Sequence, residues 1–307
     1  MPVVFPLFIA GLLGWLSPTL PAPRRAFVYP ASPTTKATFS NDGRLVLVGT
    51  QAGQIALFHG RTALLVREFA GHRKPISDLE SWPDRDTVVS GDAGGNLLFW
   101  RTSDLTVLRR SHVSAPVKLV RVQPGKPQVA VAGRRMVWLV NTSGDSRRLL
   151  LPGLTGSDIT AMAFSPDGAK LAVGYANGQL VVSDLATGQQ QRVRQKTAIR
   201  DLAFGRDTLL TVSGDPVLTM WCHPGRNWVL THSLPTAYPL TAVGKMGSTV
   251  ALGSANGDVI VLTPGQENTQ VVGHNPEPVS SVQKHPREAL LLTTTASEPP
   301  KTWRLNE

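Results

Sequence analysis

Short apolar runs separated by turn residues dominate the chain beyond residue 26. In one stretch, Phe164 is followed by the turn Ser165–Gly168, the apolar runs Leu171–Gly174 and Gly178–Val182, and a further turn, Ser183–Gly188. Runs rich in β-branched residues, with turn signals about every 8 to 12 residues, predict β-strands. No helical periodicity of useful length competes with this pattern, so we expect an all-β chain.

The pattern recurs with a period near 40 residues. A glycine closes the second run of successive units at intervals of 42, 42, 41, 40 and 39 residues, namely Gly49, Gly91, Gly133, Gly174, Gly214 and Gly253. The third runs end at seven positions, namely Phe58, Trp100, Val140, Ser183, Trp221, Leu262 and Trp303. Seven units with four strands each predict a seven-bladed β-propeller.

The last unit lacks residues for its outer strand, because only Arg304–Glu307 follow Trp303. At the other end, the strand-like run Ala26–Tyr29 precedes the first unit and belongs to none. We therefore expect this N-terminal run to supply the fourth strand of the seventh blade. Such pairing closes the ring and removes its open edges.

The segment before the repeats has the character of an export signal. The apolar run Val3–Leu16 is shorter than the roughly 20 residues that cross a bilayer. We expect residues 1–22 to be a signal peptide or a short N-terminal anchor and residues 23–307 to be the propeller. The preferred interpretation is export to the periplasm or another extracytoplasmic compartment, with cleavage near Ala22.

Two alternatives remain open for this segment. Arg24 and Arg25 follow the apolar run, and positive charges of this kind favour the cytoplasmic side of a membrane. An uncleaved anchor would then hold the propeller at the cytoplasmic face of the membrane. The other alternative is a misassigned start codon.

The repeats resemble the WD-repeat β-propeller family over residues 26–307. The matching motifs are the pairs Gly71–His72 and Gly273–His274, the turn Ser165–Gly168, the segments Ser90–Asp92 and Ser213–Asp215, and the tryptophans Trp100, Trp221 and Trp303. Each motif alone is weak, but seven units in register form a strong signal. No unit has an intact Trp-Asp pair, since arginine or cysteine follows each of these tryptophans.

The resemblance implies a buried hydrogen-bonded tetrad of His, Ser or Thr, Asp and Trp within a blade. In the second unit His72, Ser90 and Trp100 supply three members, while Gly94 stands where the aspartate is expected. His274 and Trp303 would have the same part in the seventh unit. A buried N–H group without a partner costs about 1–3 kcal/mol. We therefore expect water or backbone to replace the missing members.

Residue patterns for chemistry are absent from the sequence. The histidines before first strands, His72, His112 and His274, are expected to be structural, and no zinc-ligand spacing occurs. No nucleophile elbow appears, and the glycines of Gly91–Gly95 precede a strand and not a helix. Cys222 is the only cysteine, which excludes an internal disulfide and suggests a small buried thiol. We expect no metal, no cofactor and no catalysis.

The net charge of +10 is unevenly distributed. Residues 1–153 hold 19 Lys and Arg against 9 Asp and Glu, whereas residues 154–307 hold 12 of each. From Arg101 to Gly153 ten basic residues face only Asp104 and Asp145. We interpret this as a basic sector at blade three.

Five basic residues are expected on one face of the ring. In the family, the connections before the first strand and between the second and third strands open on a common face. This places there Arg73, Lys74, Arg134, Arg135 and Lys196. Arg109, Arg110, Arg147 and Arg148 fall in outer strands and would decorate the rim. All could be ordinary solubilising charges, or they could form an electropositive docking surface.

The sequence thus predicts a non-catalytic scaffold that binds an acidic protein or peptide across one propeller face, as a monomeric propeller in a larger complex. One alternative is peripheral binding to an anionic membrane through the basic sector. Another is a propeller hydrolase or lyase with its site in the central channel. Nucleic acid is not expected, because exposed aromatic residues do not interleave with the basic ones.

Overall fold

The computed structural model describes residues 21–143, 147–151, 156–205, 207–223, 228–247, 249–263 and 269–305. These residues form 28 β-strands in seven antiparallel sheets of four strands each. From blade one to blade seven, each inner strand contacts the inner strand of the next blade, and the second strand of blade seven contacts the inner strand of blade one. The predicted seven-bladed propeller is confirmed.

Strands are named here in chain order, from the inner to the outer strand of each blade. Blade one comprises β2 (Thr34–Phe39), β3 (Leu45–Thr50), β4 (Gln54–His59) and β5 (Leu65–Ala70). Blade two comprises β6 (Ile76–Ser81), β7 (Thr87–Asp92), β8 (Asn96–Arg101) and β9 (Val107–His112). Blade three comprises β10 (Leu119–Val122), β11 (Gln128–Ala132), β12 (Val137–Asn141) and β13 (Arg147–Leu151). Blade four comprises β14 (Ile159–Phe164), β15 (Lys170–Tyr175), β16 (Gln179–Asp184) and β17 (Gln190–Arg194).

The second half of the ring follows the same plan. Blade five comprises β18 (Ile199–Phe204), β19 (Thr208–Ser213), β20 (Val217–Cys222) and β21 (Val229–Pro235). Blade six comprises β22 (Leu240–Met246), β23 (Thr249–Ser254), β24 (Asp258–Leu262) and β25 (Thr269–His274). Blade seven comprises β26 (Ser281–Lys284), β27 (Leu290–Thr294), β28 (Lys301–Arg304) and the N-terminal strand β1 (Arg25–Ala26).

The core lies between neighbouring blades. Seven clusters of buried apolar side chains are found among the described residues, and each draws on two adjacent blades. The second and third strands are continuous apolar runs because both of their faces are covered. Among the outer strands, β21 is exposed at every residue, whereas β9 and β17 alternate exposed with half-buried residues.

The N-terminal strand closes the ring as expected, but it is shorter than the run 26–29. Arg25 pairs with Thr302 and Ala26 with Lys301, and the Phe27 amide donates to the Pro300 carbonyl at 2.9 Å. Phe27 is fully buried in the cluster between blades seven and one. The strand ends at Ala26, and the Phe27 ring packs edge-on against Phe58 of blade one, with ring centroids 5.8 Å apart.

The ring has two faces. The upper face carries the connections between blades and the turns between second and third strands, and these interlock. The His72 amide donates to the Gly53 carbonyl at 3.3 Å. Gly53 has φ of +81°, and a side chain there would lie 2.7 Å from the His72 carbonyl oxygen, so the turn requires glycine. The lower face carries the remaining turns.

Residues 1–20, which hold most of the expected signal or anchor segment, lie outside the described residues. Within the part that is described, no helix is long and apolar enough to cross a membrane.

Candidate functional site

A complete hydrogen-bonded tetrad lies within blade two. The Trp100 indole Nε1 donates to Ser90 Oγ at 2.8 Å, and His72 Nε2 lies 2.6 Å from the same oxygen. His72 Nδ1 lies 2.9 Å from Asp92 Oδ2. The expectation that Gly94 leaves the aspartate position empty is therefore wrong. Asp92 at the end of β7 fills it, and its other oxygen accepts the Gly94 amide at 2.8 Å.

The backbone register shows which residues stand where His72 stands. The His72 amide donates to the carbonyl of the glycine in the preceding turn. At the equivalent turns of three other blades, the corresponding glycine carbonyls accept from the amides of Val113, Gln195 and Asn275. His112 and His274 are each one residue earlier, so the sequence-based placement of these two histidines was wrong. His274 instead turns to β24, where its Nδ1 lies 2.8 Å from Asp258 Oδ1.

The other two tryptophans keep part of the arrangement. Trp221 Nε1 donates to Thr211 Oγ1 at 3.0 Å, and Thr211 donates to Gln195 Oε1 at 3.0 Å, so glutamine replaces histidine in blade five. In blade seven, Trp303 Nε1 donates to Thr293 Oγ1 at 2.8 Å. Asn275, buried next to blade seven, has no hydrogen-bond partner within the described residues for either side-chain polar atom. The blades are thus held by unequal polar networks.

The five predicted docking residues all belong to upper-face segments. Arg73 and Lys74 lie between blades one and two, and Lys196 lies between blades four and five. All three side chains are exposed, and no described carboxylate lies within 4.0 Å of their charged groups. The three cations are therefore available to a ligand.

Arg134 and Arg135 behave differently from these three. They occupy the turn between β11 and β12, where Arg134 Nε lies 3.0 Å from Asp158 Oδ1 and Arg135 Nε lies 3.4 Å from it. The hydrogen bond from Arg134 lowers the pKa of Asp158, with a further contribution from Arg135. Asp158 was not foreseen because it lies in the next inter-blade connection. It cancels part of the positive charge at this turn.

The basic sector expected at blade three is dispersed in the structure. Arg101 pairs with Asp104 in blade two at 3.0 Å, and Arg109 lies on β9 of the same blade. Arg121 points into the central channel. The side chains of Arg147 and Arg148 lie outside the described residues. Among the side chains that are described, the positive charge counted along the sequence therefore does not form one patch.

The central channel holds a charged network that the sequence reasoning missed. A cavity of about 260 Å³ is lined by inner-strand side chains, and its charged members are Lys36, Asp78, Glu80, Arg121, Arg200 and Asp201. Three cations face three carboxylates, so the network is nearly balanced. The signal in the sequence was polar residues at alternate positions of an inner strand, as in Asp78 and Glu80 of β6.

Asp78 and Arg121 are the centre of this network. Arg121 Nη1 donates to Asp78 Oδ2 at 2.7 Å, and Arg121 Nε donates to the Met162 carbonyl in blade four at 2.8 Å. The Val120 amide donates to the same aspartate oxygen at 3.0 Å. A β-bulge between Ile76 and Asp78 shifts the register of the strand at this point and changes the direction of its side chains. The pair joins blades two, three and four.

Two further carboxylates of the channel are held in an environment that disfavours their charge. Burial raises the pKa of Glu80 to about 7, although the charge of Arg121 opposes the change. Burial also raises the pKa of Asp201, against the hydrogen bond from the Val243 amide at 2.9 Å. Each of these carboxylates accepts an amide from the next blade, which is a structural use of a buried acid.

Among the described residues, no group of three or more His, Cys, Asp and Glu is placed to hold a metal ion.

Cys222 is half-buried instead of buried, and Thr231 Oγ1 lies 3.4 Å from its sulfur. The buried His285 bonds through Nε2 to the Gly43 carbonyl at 3.0 Å and so links blade seven to blade one.

Two segments of the chain match the family model "WD domain, G-beta repeat", at residues 64–101 and 148–184. Each matched segment runs from the outer strand of one blade through the third strand of the next. Each sequence repeat therefore contributes strands to two consecutive blades and links them covalently.

The chain is 23% identical over 219 residues to the protein ROOT INITIATION DEFECTIVE 3 of Arabidopsis thaliana, a match that covers 63% of this chain and 49% of that protein. The chain thus spans about half the length of this curated relative. Among solved structures, the Cps50 (Swd1) β-propeller domain of Myceliophteria thermophila superposes with a TM-score of 0.77 and 19% sequence identity, covering 91% of this chain and 99% of that domain. The resemblance seen in the sequence is confirmed to this extent: two segments match the WD-repeat model, and the chain has the fold of a seven-bladed β-propeller.

Proposed function

We propose that this propeller is a non-catalytic scaffold that binds an acidic segment of another protein across its upper face. The observation that carries the proposal is the exposure of Arg73, Lys74 and Lys196 on that face with no carboxylate partner among the described residues. Unpaired cations on a rigid surface steer an acidic partner and select against basic ones.

The rigidity of the face supports this function. The inter-blade connections that carry Arg73 and Lys74 are bonded to the turn at Gly53, and the connection that carries Lys196 is bonded to the turn at Gly178. Loops held in this way lose little conformational entropy when a ligand binds. Arg134 and Arg135 would contribute less to binding, because both already form ion pairs with Asp158.

The upper mouth of the channel extends the surface. Lys36 and Arg200 line the cavity there and make no ion pair within the described residues. We propose that an acidic side chain of the partner reaches this mouth while the rest of the segment lies over blades two to five. The family relationship agrees with a role in protein assembly.

The test uses a fluorescently labelled decaglutamate peptide as the probe, with fluorescence anisotropy as the readout. Three reversals on the upper face, Arg73→Glu, Lys74→Glu and Lys196→Glu, should weaken binding by about 10-fold or more at low salt. The matched control reverses three exposed arginines on the lower face, Arg44→Glu, Arg61→Glu and Arg287→Glu. Equal weakening by both triple variants would show only a general charge effect and would contradict the proposal.

A further inference from the structure

A cluster of arginines lies on the lower face at the seam between blades seven and one. We call it the seam cluster, and its members are Arg24, Arg25, Arg44, Arg61 and Arg287. They come from the start of β1 and the residue before it, from two turns of blade one and from the first turn of blade seven. Because they are scattered in sequence, no charge run reveals them.

Contacts among the backbone and side chains bring the members together. Arg25 Nε donates to the Arg61 carbonyl at 2.9 Å, and the Gly60 amide donates to the Arg44 carbonyl at 2.7 Å. Arg61 Nη2 lies 2.9 Å from Glu288 Oε1. The closure of the ring by β1 therefore assembles the cluster.

Among the described residues, two carboxylates lie within the cluster. Arg61 lowers the pKa of Glu288 through its hydrogen bond, with a smaller contribution from the charge of Arg24. Burial opposes ionisation of Asp42, but the hydrogen bond from Ser40 and the charges of Arg44 and Arg287 outweigh it and lower its pKa. Five arginines against two ionised carboxylates leave three net positive charges.

The cluster is open to solvent and has an apolar edge. The side chains of Arg44 and Arg61 are 79% and 76% exposed. Leu64 lies in the same turn as Arg61 and is 68% exposed, and Leu65 and Val66 continue along the outer strand β5 with exposed side chains. Cations beside protruding aliphatic side chains are the combination that binds the headgroup region of an anionic bilayer.

The N-terminal apolar run supports a lipid surface as the occupant. It ends at Leu16, and the chain enters the propeller at Arg24, within the cluster. Eight residues span at most about 28 Å when extended. A bilayer that holds this run therefore keeps the seam cluster close to its headgroups. Cleavage near Ala22 would instead leave a new α-amino group beside Arg24, which adds to the positive charge.

We propose that the seam cluster, together with Leu64, docks this propeller on an anionic membrane surface. The lower face would then rest against the headgroups, and the upper face would point away from them, free to bind a partner. This membrane site is distinct from the expected basic sector at blade three. The proposal does not depend on the function proposed for the upper face.

The test is co-sedimentation of the full chain with vesicles. Phosphatidylcholine vesicles report what the apolar run contributes alone, and vesicles containing added phosphatidylglycerol report the effect of negative charge. The seam variant carries Arg44→Glu, Arg61→Glu and Arg287→Glu, and its thermal midpoint is measured first, because only a folded variant is informative. The matched control carries Arg73→Glu, Lys74→Glu and Lys196→Glu on the opposite face.

We expect the unmodified chain to prefer the anionic vesicles, and the seam variant to bind them about 100-fold more weakly. The upper-face control should keep the preference. Leu64→Ser should weaken binding to anionic vesicles while leaving the net charge of the cluster unchanged. The proposal is overturned if the seam variant retains the preference, if both triple variants lose it equally, or if the unmodified chain shows none.

Discussion

His72 Nδ1 lies 2.9 Å from Asp92 Oδ2, and both side chains are fully shielded from solvent. The aspartate also accepts hydrogen bonds from the turn that follows β7, so one carboxylate ties together the inter-blade connection and blade two. This contact supplies the aspartate of the tetrad, which the sequence predicts to be missing from blade two.

Loss of the Asp92 carboxylate should therefore destabilise the protein. Asp92→Ala leaves His72 and two amides without their acceptor, and we expect the free energy of unfolding to fall by about 2–4 kcal/mol. The control is Asp86→Ala, an exposed carboxylate of the same blade that bonds Ser103 at 2.7 Å and should cost less than about 1 kcal/mol. Urea unfolding measures both, and equal losses would contradict the role of the tetrad.

The titration of His72 should be visible in stability. Burial lowers the pKa of His72 below the ordinary value of a histidine, against the opposing influence of Asp92. The unfolded chain then binds a proton more readily than the folded one, so stability is lost as the pH falls below about 6.5. His72→Gln should show a flatter decline between neutral and mildly acidic pH in urea unfolding. An identical pH profile would exclude this group as the cause.

Glu80 should have the opposite pH dependence. Its pKa is raised from 4.5 to about 7, so the folded state holds the proton more tightly and stability is lost as the pH rises between these values. Glu80→Gln keeps an acceptor for the Val122 amide and removes the charge. We expect the variant to be more stable than the unmodified protein at pH 8 and little different at pH 5. A variant that is less stable at pH 8 would contradict the assignment.

The closure of the ring should depend on Phe27. Phe27→Ala removes a fully buried ring between blades seven and one and should cost about 3–5 kcal/mol. Its neighbour Val28 is 59% exposed, so Val28→Ala should change stability by less than about 0.5 kcal/mol. Thermal unfolding of both variants gives the comparison. A small effect of Phe27→Ala would mean that the N-terminal segment does not hold the ring closed.

Replacing Asn275 by an apolar residue should be tolerated, whereas the same replacement of His72 should lower stability. Its side chain is buried and has no hydrogen-bond partner in the part of the chain that the structure describes, and an unpaired buried polar group costs about 1–3 kcal/mol. Asn275→Leu should therefore leave stability unchanged or raise it, whereas His72→Leu should lower it. A clear loss of stability in Asn275→Leu would indicate a partner for this side chain and contradict the prediction.

The fold was predictable because its determinants are local. The turn residues and apolar runs of each unit lie within about 40 residues, and Trp100, Trp221 and Trp303 mark the third strands where the structure has them. The extent of the closing strand was less predictable, since it depends on how Phe27 packs against a distant blade. Short strands are set by such contacts more than by propensity.

The polar sites were harder to foresee because their members are far apart in sequence. Asp78 meets Arg121 across 43 positions, and Arg61 meets Glu288 across 227. Charge counted along the chain therefore indicated a basic sector at blade three and missed the seam cluster. The tetrad in blade two was missed for a smaller reason: Asp92 stands two positions before Gly94, where the aspartate was expected.

The scaffold function is tested most directly by zero-length cross-linking of the complex that the tagged full chain forms in its native cells. Carbodiimide joins a lysine amine to a carboxylate only where the two are in contact. We predict cross-links from Lys74 and Lys196 on the upper face to Asp or Glu of a partner protein, located by mass spectrometry. A stable partner whose cross-links involve only lower-face lysines, such as Lys126 and Lys284, would contradict the proposed binding surface.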